Sequence, residues 1–202
     1  MRGHGTMLAF LDVETRVFHA EADRSWAHLL ESDGDSRPDY VYRLAVSYGF
    51  EAPFEIVRRY MSGVAERITV PLHERAGLLL RALVALGWTA GDVTSMQCGA
   101  FALLSELPEA LAWMYVIERS TLIQAEVRHV LASKFKDVAD ATARLAEYDS
   151  TANARRAELG IALDRLCVTE DLYKRVTAAA RAGFDALVGW QRAMEPGLRR
   201  VG

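Results

Sequence analysis

Residues 105–135, SELPEALAWMYVIERSTLIQAEVRHVLASKF, contain the longest predicted helix of this 202-residue chain. Pro108 stands in its first turn, where the N–H that proline lacks would have no helical partner in any case. The rest of the chain is rich in alanine, the residue with the highest helix propensity, and the whole chain holds only 5 prolines. No run of alternating β-branched residues bounded by turns predicts a strand. The sequence therefore predicts an all-α fold.

Turn-forming residues divide the remaining sequence into further helices. The polar stretch 31–38 and the glycines Gly49 and Gly87 mark breaks, and Pro71 marks a helix start. We expect seven to nine helices in one domain of residues 7–195, between a flexible N-terminal tail of residues 1–6 and a C-terminal tail of residues 196–202. The other predicted helices are Met7–Leu30, Asp39–Tyr48, Pro53–Arg67, Leu72–Leu86, Asp137–Glu147, Ala152–Leu166 and Thr169–Ala193, with Gly91–Gly99 as a loop or short helix.

The composition excludes several classes of protein. With 51% hydrophobic residues, 25% charged residues and a net charge of −3, the chain is typical of a globular protein and lacks the basic excess of nucleic-acid-binding proteins. The longest apolar run, Ala76–Leu86, is broken by Arg81 and is too short to span a membrane. No signal peptide is predicted, so we expect a cytoplasmic protein in which Cys98 and Cys167 are free thiols.

His19 is the most informative of the five histidines. Thr15 and Asp23 lie one helical turn before and after it, on the same face of the first predicted helix. A carboxylate one turn away can hold one imidazole nitrogen and leave the other free for a metal ion. An ordinary amphipathic helix with a partly exposed histidine has the same pattern, and the spacing alone does not separate the two interpretations.

Other histidines offer weaker candidates. Glu126 and His129 form a Glu-x-x-His pair, which is typical of helical di-metal sites. Such sites normally need a second pair and two further carboxylates, and the sequence contains no second pair. A di-metal oxidase therefore remains an alternative, and His4 and His73 are predicted to lie at the surface.

Several segments, in order along the chain, resemble the heme oxygenase family. The most specific is residues 109–122, EALAWMYVIERSTL, which is similar to the distal helix of bacterial members. In that family the histidine that matches His19 is the proximal iron ligand. The likeness covers roughly residues 8–192, and its other segments are Leu11–Asp23, Tyr40–Glu55, Arg75–Gly87 and Val176–Trp190.

The resemblance implies a heme oxygenase-like helical fold with heme between the first helix and the distal helix. His19 would be the axial ligand of the iron, and the protein would cleave heme with molecular oxygen and electrons from a reductase, to biliverdin, iron and carbon monoxide. The residues that the resemblance places around heme are His19, Thr15, Arg16, Asp23, Tyr115, Ser120 and Ile123, with Arg16 near a propionate. Arg155 and Arg156 are further propionate candidates, or part of a solvated charged face, and Trp26 could close one end of the pocket.

The distal helix departs from the family pattern at two positions. Family members have glycines four residues apart, which let the backbone lie close to heme, whereas this chain has Arg119 and Ile123. One outcome is a working oxygenase in which Arg119 or Gln124 donates a hydrogen bond to the bound ligand. The other is a non-catalytic protein of the same fold that binds heme differently, or binds another ligand or a protein partner.

Overall fold

The structure, a computed structural model, describes residues 6–31, 36–61, 75–99 and 106–198. These ranges contain ten α-helices and no strand, which confirms the predicted all-α fold. His4 and His73, which are predicted to lie at the surface, and the helix start predicted at Pro71 lie outside these ranges. The helices are α1 (Thr6–Glu14), α2 (Arg16–Glu31), α3 (Arg37–Met61), α4 (Arg75–Ala85), α5 (Ala90–Ser95), α6 (Leu107–Lys134), α7 (Lys136–Ala141), α8 (Ala143–Ser150), α9 (Ala152–Leu166) and α10 (Glu170–Leu198).

Helix α6 lies at the centre of the molecule. Every residue from Ala110 to Glu118 is buried, so this half of the helix is covered on all sides. Helices α2, α9 and α10 pack around it, and α3, α4, α7 and α8 complete the bundle. Residues Leu111–Ile117 belong to one hydrophobic core, and Val127 and Leu131 belong to a second. None of the described helices is both long and apolar enough to cross a membrane.

The predicted break at Gly49 is wrong, because α3 runs through both Gly49 and Pro53. Proline at 53 has no N–H to donate to the carbonyl four residues earlier, that of Gly49. The Cys98 N–H donates to this carbonyl instead, at 2.8 Å. A side chain at residue 49 would clash with the Met96 carbonyl and the Trp190 ring, each 2.7 Å from the position of its Cβ. Gly49 is therefore a docking point for residues 96–98.

Two predicted helices are each divided at a threonine. The first helix is interrupted at Thr15, and the helix predicted over Asp137–Glu147 is interrupted at Thr142. In both cases the threonine hydroxyl donates to the carbonyl four residues earlier, at 2.7 Å, in competition with the helical N–H.

The predicted helix end at Gly87 is confirmed. Gly87 has a φ of 98°, and the Trp88 N–H closes the helix by donating to the Leu83 carbonyl.

Gly49→Ala tests the docking of residues 96–98 against α3. The added methyl overlaps the Met96 carbonyl and the Trp190 ring, so we expect the free energy of unfolding to fall by about 1–3 kcal/mol. Gly189→Ala is the matched control, since no atom lies within 4 Å of its added Cβ and it sits inside α10. The control is expected to raise stability by roughly 0.5–1 kcal/mol in urea unfolding. Equal stabilisation by both variants would contradict the proposed close approach.

Candidate functional site

An open cleft with about 850 Å³ of empty space lies beside helices α2 and α6. We call it the α2–α6 cleft. Its lining residues are far apart in the sequence. They include Arg119 and four of the residues that the resemblance places around heme. The lining residues are Asp12, Arg16, His19, Asp23, Arg119, Leu122, Ile123, Glu126 and Arg156.

His19 is held by two hydroxyl groups at the wall of the cleft. Its Nε2 lies 2.9 Å from the Thr15 hydroxyl and 3.1 Å from the Tyr115 hydroxyl. Tyr115 is fully buried on α6, and the Phe184 ring packs against the imidazole at 5.3 Å between ring centres. The imidazole is therefore fixed from both sides by α6 and α10.

The two hydroxyl groups belong to a wider hydrogen-bond network. The Thr15 hydroxyl donates to the Leu11 carbonyl at 2.7 Å, and the Tyr115 hydroxyl donates to Asp12 Oδ1 at 3.0 Å. The two hydroxyl oxygens also lie 2.9 Å from each other. His19 Nε2, Thr15, Tyr115 and Asp12 therefore form one connected polar network at the wall of the cleft.

Burial lowers the pKa of His19 below its ordinary value of 6.5, and the positive charge of Arg119 lowers it further. Asp12 and Asp23 act in the opposite direction but do not reverse the shift. The folded protein therefore favours the neutral form of His19 at pH 7.

Two ion pairs connect the walls of the cleft. Arg119 donates to both carboxylate oxygens of Asp23, at 2.9 and 3.3 Å, and so joins α6 to α2. Arg156 donates to Asp12 Oδ2 at 2.8 Å and joins α9 to α1. With Tyr115 on its other oxygen, Asp12 has both oxygens bonded. Each of the four carboxylate oxygens of Asp12 and Asp23 therefore accepts a hydrogen bond within the protein.

Several groups in the cleft keep unused binding capacity. Arg16 is exposed and has no ion-pair partner among the described residues. Arg156 Nη1 is buried and has no hydrogen-bond acceptor among the described residues. Leu122 and Ile123 provide an apolar surface beside them; Leu122 is 39% exposed and Ile123 is half-buried. The cleft therefore combines the exposed guanidinium group of Arg16 with a partly exposed aliphatic surface.

The residues as packed do not fit a heme held between α2 and α6. His19 and Tyr115 are in direct hydrogen-bond contact, as are Asp23 and Arg119, so nothing separates the two helices. An axial ligand also needs a nitrogen that is free to bind iron, whereas Nε2 of His19 is in contact with the Thr15 and Tyr115 hydroxyls. A macrocycle between the helices would have to break these contacts and the ion pair.

The structure places other predicted residues outside the cleft. Gln124 is buried and accepts from Arg75 Nη2 at 2.7 Å, and Ser120 donates to the Ile117 carbonyl at 2.8 Å. Both lie on the inner side of α6, so neither can donate to a ligand in the cleft. Arg155 and Trp26 are also buried, Arg155 against Glu118 and Trp26 against Tyr40, so Arg155 cannot bind a propionate and Trp26 does not close the cleft.

The predicted di-metal site does not assemble. Glu126 lies at the edge of the cleft and His129 is exposed. Within the described residues no three or more histidine, cysteine, aspartate or glutamate side chains are arranged to hold a metal ion. The cysteines Cys98 and Cys167 are buried and form no disulfide bond among the described residues.

Sequence reasoning missed the second polar cluster of the molecule, which lies inside the bundle. It contains the carboxylates of Glu51, Glu55 and Glu118 and the guanidinium groups of Arg75 and Arg155. One signal for it exists in the sequence: Glu51 and Glu55 stand one turn apart within a largely apolar segment. Their partners come from distant helices and have no local signature.

Comparisons with protein-family models, with curated proteins and with solved structures found no match to this chain.

The pKa of His19 predicts a pH dependence of stability. Between its folded-state pKa and pH 6.5 the unfolded chain binds more protons at this position, so stability falls as the pH decreases through that window. His19→Gln is expected to weaken this dependence in urea unfolding at pH 7 and pH 5.5. A pKa of His19 above 6.5 in an NMR titration would contradict the effect of burial and of the Arg119 charge.

Tyr115→Phe tests the contact between α2 and α6. The variant removes the hydroxyl that donates to Asp12 and contacts His19 Nε2, so we expect the free energy of unfolding to fall by about 1–3 kcal/mol. Tyr48→Phe is the control, because the Tyr48 hydroxyl has no hydrogen-bond partner among the described residues. Similar losses for the two variants would show that the hydroxyl of Tyr115 is not part of a structural network.

Proposed function

We propose that this chain is a binding protein whose α2–α6 cleft takes an anionic molecule with an apolar body. The observation that carries the proposal is the exposed guanidinium group of Arg16, which has no ion-pair partner among the described residues, next to the exposed Leu122 and the half-buried Ile123. Guanidinium groups bind carboxylates through paired N–H donors, and the aliphatic side chains bury apolar surface.

Arg16 is the charged group that the cleft offers to an anionic ligand. Asp12 and Asp23 are engaged by Arg156 and Arg119, so these four side chains neutralise one another. Arg16 and Glu126 carry the two remaining charges of the lining, which are opposite, so the lining as a whole is neutral. Arg16 is exposed and has no ion-pair partner among the described residues. A carboxylate is the simplest group that would satisfy its free donors.

Heme belongs to this class of ligand, since it has two carboxylates on an apolar macrocycle. The resemblance of residues 109–122 to the distal helix of heme oxygenases makes it the first ligand to test. In this proposal heme binds across the cleft through its carboxylates and its apolar face. The alternative is the oxygenase activity that the resemblance implies, with iron on His19 and electrons from a reductase.

The test is a titration of the protein with hemin and with iron-free protoporphyrin IX, followed by absorption and tryptophan fluorescence. We expect both to bind with comparable dissociation constants, since the iron contributes little. Arg16→Gln is expected to weaken both roughly tenfold, because it removes a charge-assisted hydrogen bond. Arg24→Gln, which removes an exposed arginine of the same helix outside the cleft, is expected to leave both unchanged.

One set of results would replace the proposal with the oxygenase. In that case hemin binds and protoporphyrin IX does not, His19→Gln abolishes the Soret band, and a reductant with oxygen converts the bound hemin to biliverdin. Failure of both tetrapyrroles to bind, or equal binding to the Arg16→Gln variant, would remove tetrapyrroles as the ligand of this cleft.

A further inference from the structure

An open pocket with about 640 Å³ of empty space lies where α2, α3 and α10 meet. Ser25 and His28 line it from α2, Arg43 lines it from α3, and Val188 and Gln191 line it from α10. No residue lines both this pocket and the α2–α6 cleft. The pocket is therefore a second candidate binding site, separate from the first. We call it the Arg43 pocket.

Arg43 is the unusual residue of this pocket. Its side chain is buried, with 7% of the residue exposed, and a guanidinium group has five N–H donors to satisfy. Within the described residues these donors have no acceptor, and Arg43 forms no ion pair. Its Nε is fully covered by the protein. A buried charged group without partners is strongly unfavourable, and native proteins contain few of them.

Two carboxylates act on Arg43 from a distance. Asp39 stands one turn earlier on α3, where its Oδ2 lies 3.8 Å from His28 Nε2, and Glu195 lines the pocket from α10. Burial lowers the pKa of Arg43, and the charges of Asp39 and Glu195 oppose this shift without reversing it. The described residues therefore do not fully compensate the burial of this charge.

Gln191 gives the pocket a second group with unused hydrogen-bonding capacity. It is 8% exposed, and its amide makes no hydrogen bond to another described residue. The Ser25 hydroxyl donates to the Ala22 carbonyl at 3.4 Å, which is long for such a bond. The pocket therefore combines a buried cation with two neutral groups that can donate to a ligand.

The chemistry of these groups favours a singly charged carboxylate. Water would accept hydrogen bonds from Arg43, but it would leave the positive charge without a partner. A doubly charged phosphate would be repelled by Glu21 and Glu195, which line the pocket, and by the nearby Asp39. A carboxylate accepts from two guanidinium N–H groups at once and brings one negative charge.

We propose that the Arg43 pocket binds a small monocarboxylate that carries a further polar group, with Arg43 paired to the carboxylate and Gln191 and Ser25 donating to the remaining oxygens. The site is independent of the α2–α6 cleft, so it does not require a ligand there. It takes a smaller and more polar molecule than the one proposed for the cleft.

An NMR titration with lactate at pH 7.5 tests the proposal. Lactamide is the neutral compound of the same shape, and inorganic phosphate is the comparison anion of higher charge. We expect lactate to bind one per chain and to shift the side-chain amide signals of Gln191. Both comparison compounds are expected to bind at least tenfold more weakly.

Two variants locate the site. Arg43→Gln is expected to abolish lactate binding, because it removes the charge and the paired donors. Arg165→Gln is the matched control, since it removes an exposed arginine of α9 that lines neither the pocket nor the cleft. This control is expected to bind lactate like the wild type.

Urea unfolding provides an independent readout. Without ligand, Arg43→Gln is expected to unfold at the same urea concentration as the wild type or at a higher one, since it removes a buried charge that has no ion-pair partner among the described residues. Lactate is expected to raise the midpoint of the wild type and not that of the variant, because a ligand stabilises only the protein that binds it. A lower midpoint for the ligand-free variant would show that Arg43 has a structural partner, which contradicts the proposal.

Four results of the titration would overturn the proposal: no binding of lactate, equal binding of lactamide, tighter binding of phosphate, or undiminished binding to Arg43→Gln. If Arg43→Gln does not fold, Gln191→Leu replaces it, because leucine has a similar size and lacks the amide donors. Lactate is then expected to bind Gln191→Leu roughly fivefold more weakly than the wild type. Equal binding to that variant would place the carboxylate site elsewhere.

Discussion

The polar side chains of α6 must find their partners inside the protein, because the helix is buried on all sides over much of its length. Tyr115, Glu118, Arg119 and Gln124 each contact a different part of the bundle. An unpaired polar group in this position would cost roughly 1–3 kcal/mol, and an unpaired charge more. The contacts therefore determine where the surrounding helices lie relative to α6.

These contacts also determine what each face of α6 can bind. On one face Tyr115 and Arg119 bring α2 into direct contact, which leaves an open cleft beside the helix pair and no space between them. On the opposite face Glu118 is fixed by Arg155, and the nearby Glu51 has one oxygen without a donor. Arg119, one of the two residues by which the sequence departs from the heme oxygenase pattern that it resembles, thus forms one of the contacts that close the helix pair.

The sequence predicts features that depend on local chemistry. The helix end at Gly87 and the proline in the first turn of α6 follow from the conformations that these residues favour. The short distance between His19 and Thr15 follows from the helical repeat. Features that depend on distant partners are not predictable in this way. Pro53 predicts a helix break, but in the structure the Cys98 N–H bonds the Gly49 carbonyl, which Pro53 cannot bond, and the helix continues.

The orientation of α6 is another feature that the sequence does not determine. Gln124 and Arg119 stand near each other in the sequence, and the sequence offers both as hydrogen-bond donors to a bound ligand. In the structure only Arg119 lines the cleft, and Gln124 is bonded to Arg75 inside the bundle. Asp23 was expected to orient His19, but it pairs with Arg119, which is 96 residues away. Which carboxylate meets which arginine depends on how the helices rotate about their axes, and that is decided by packing of the whole core.

A crystal structure of the protein prepared with hemin would test the direct contact between α2 and α6, on which this account depends. The account predicts that the Tyr115 hydroxyl stays within hydrogen-bond distance of His19 Nε2, about 3.1 Å, and that Arg119 stays paired with Asp23. Any bound tetrapyrrole would then lie in the open cleft. Separated helices, with a macrocycle between them and iron on His19 Nε2, would contradict it.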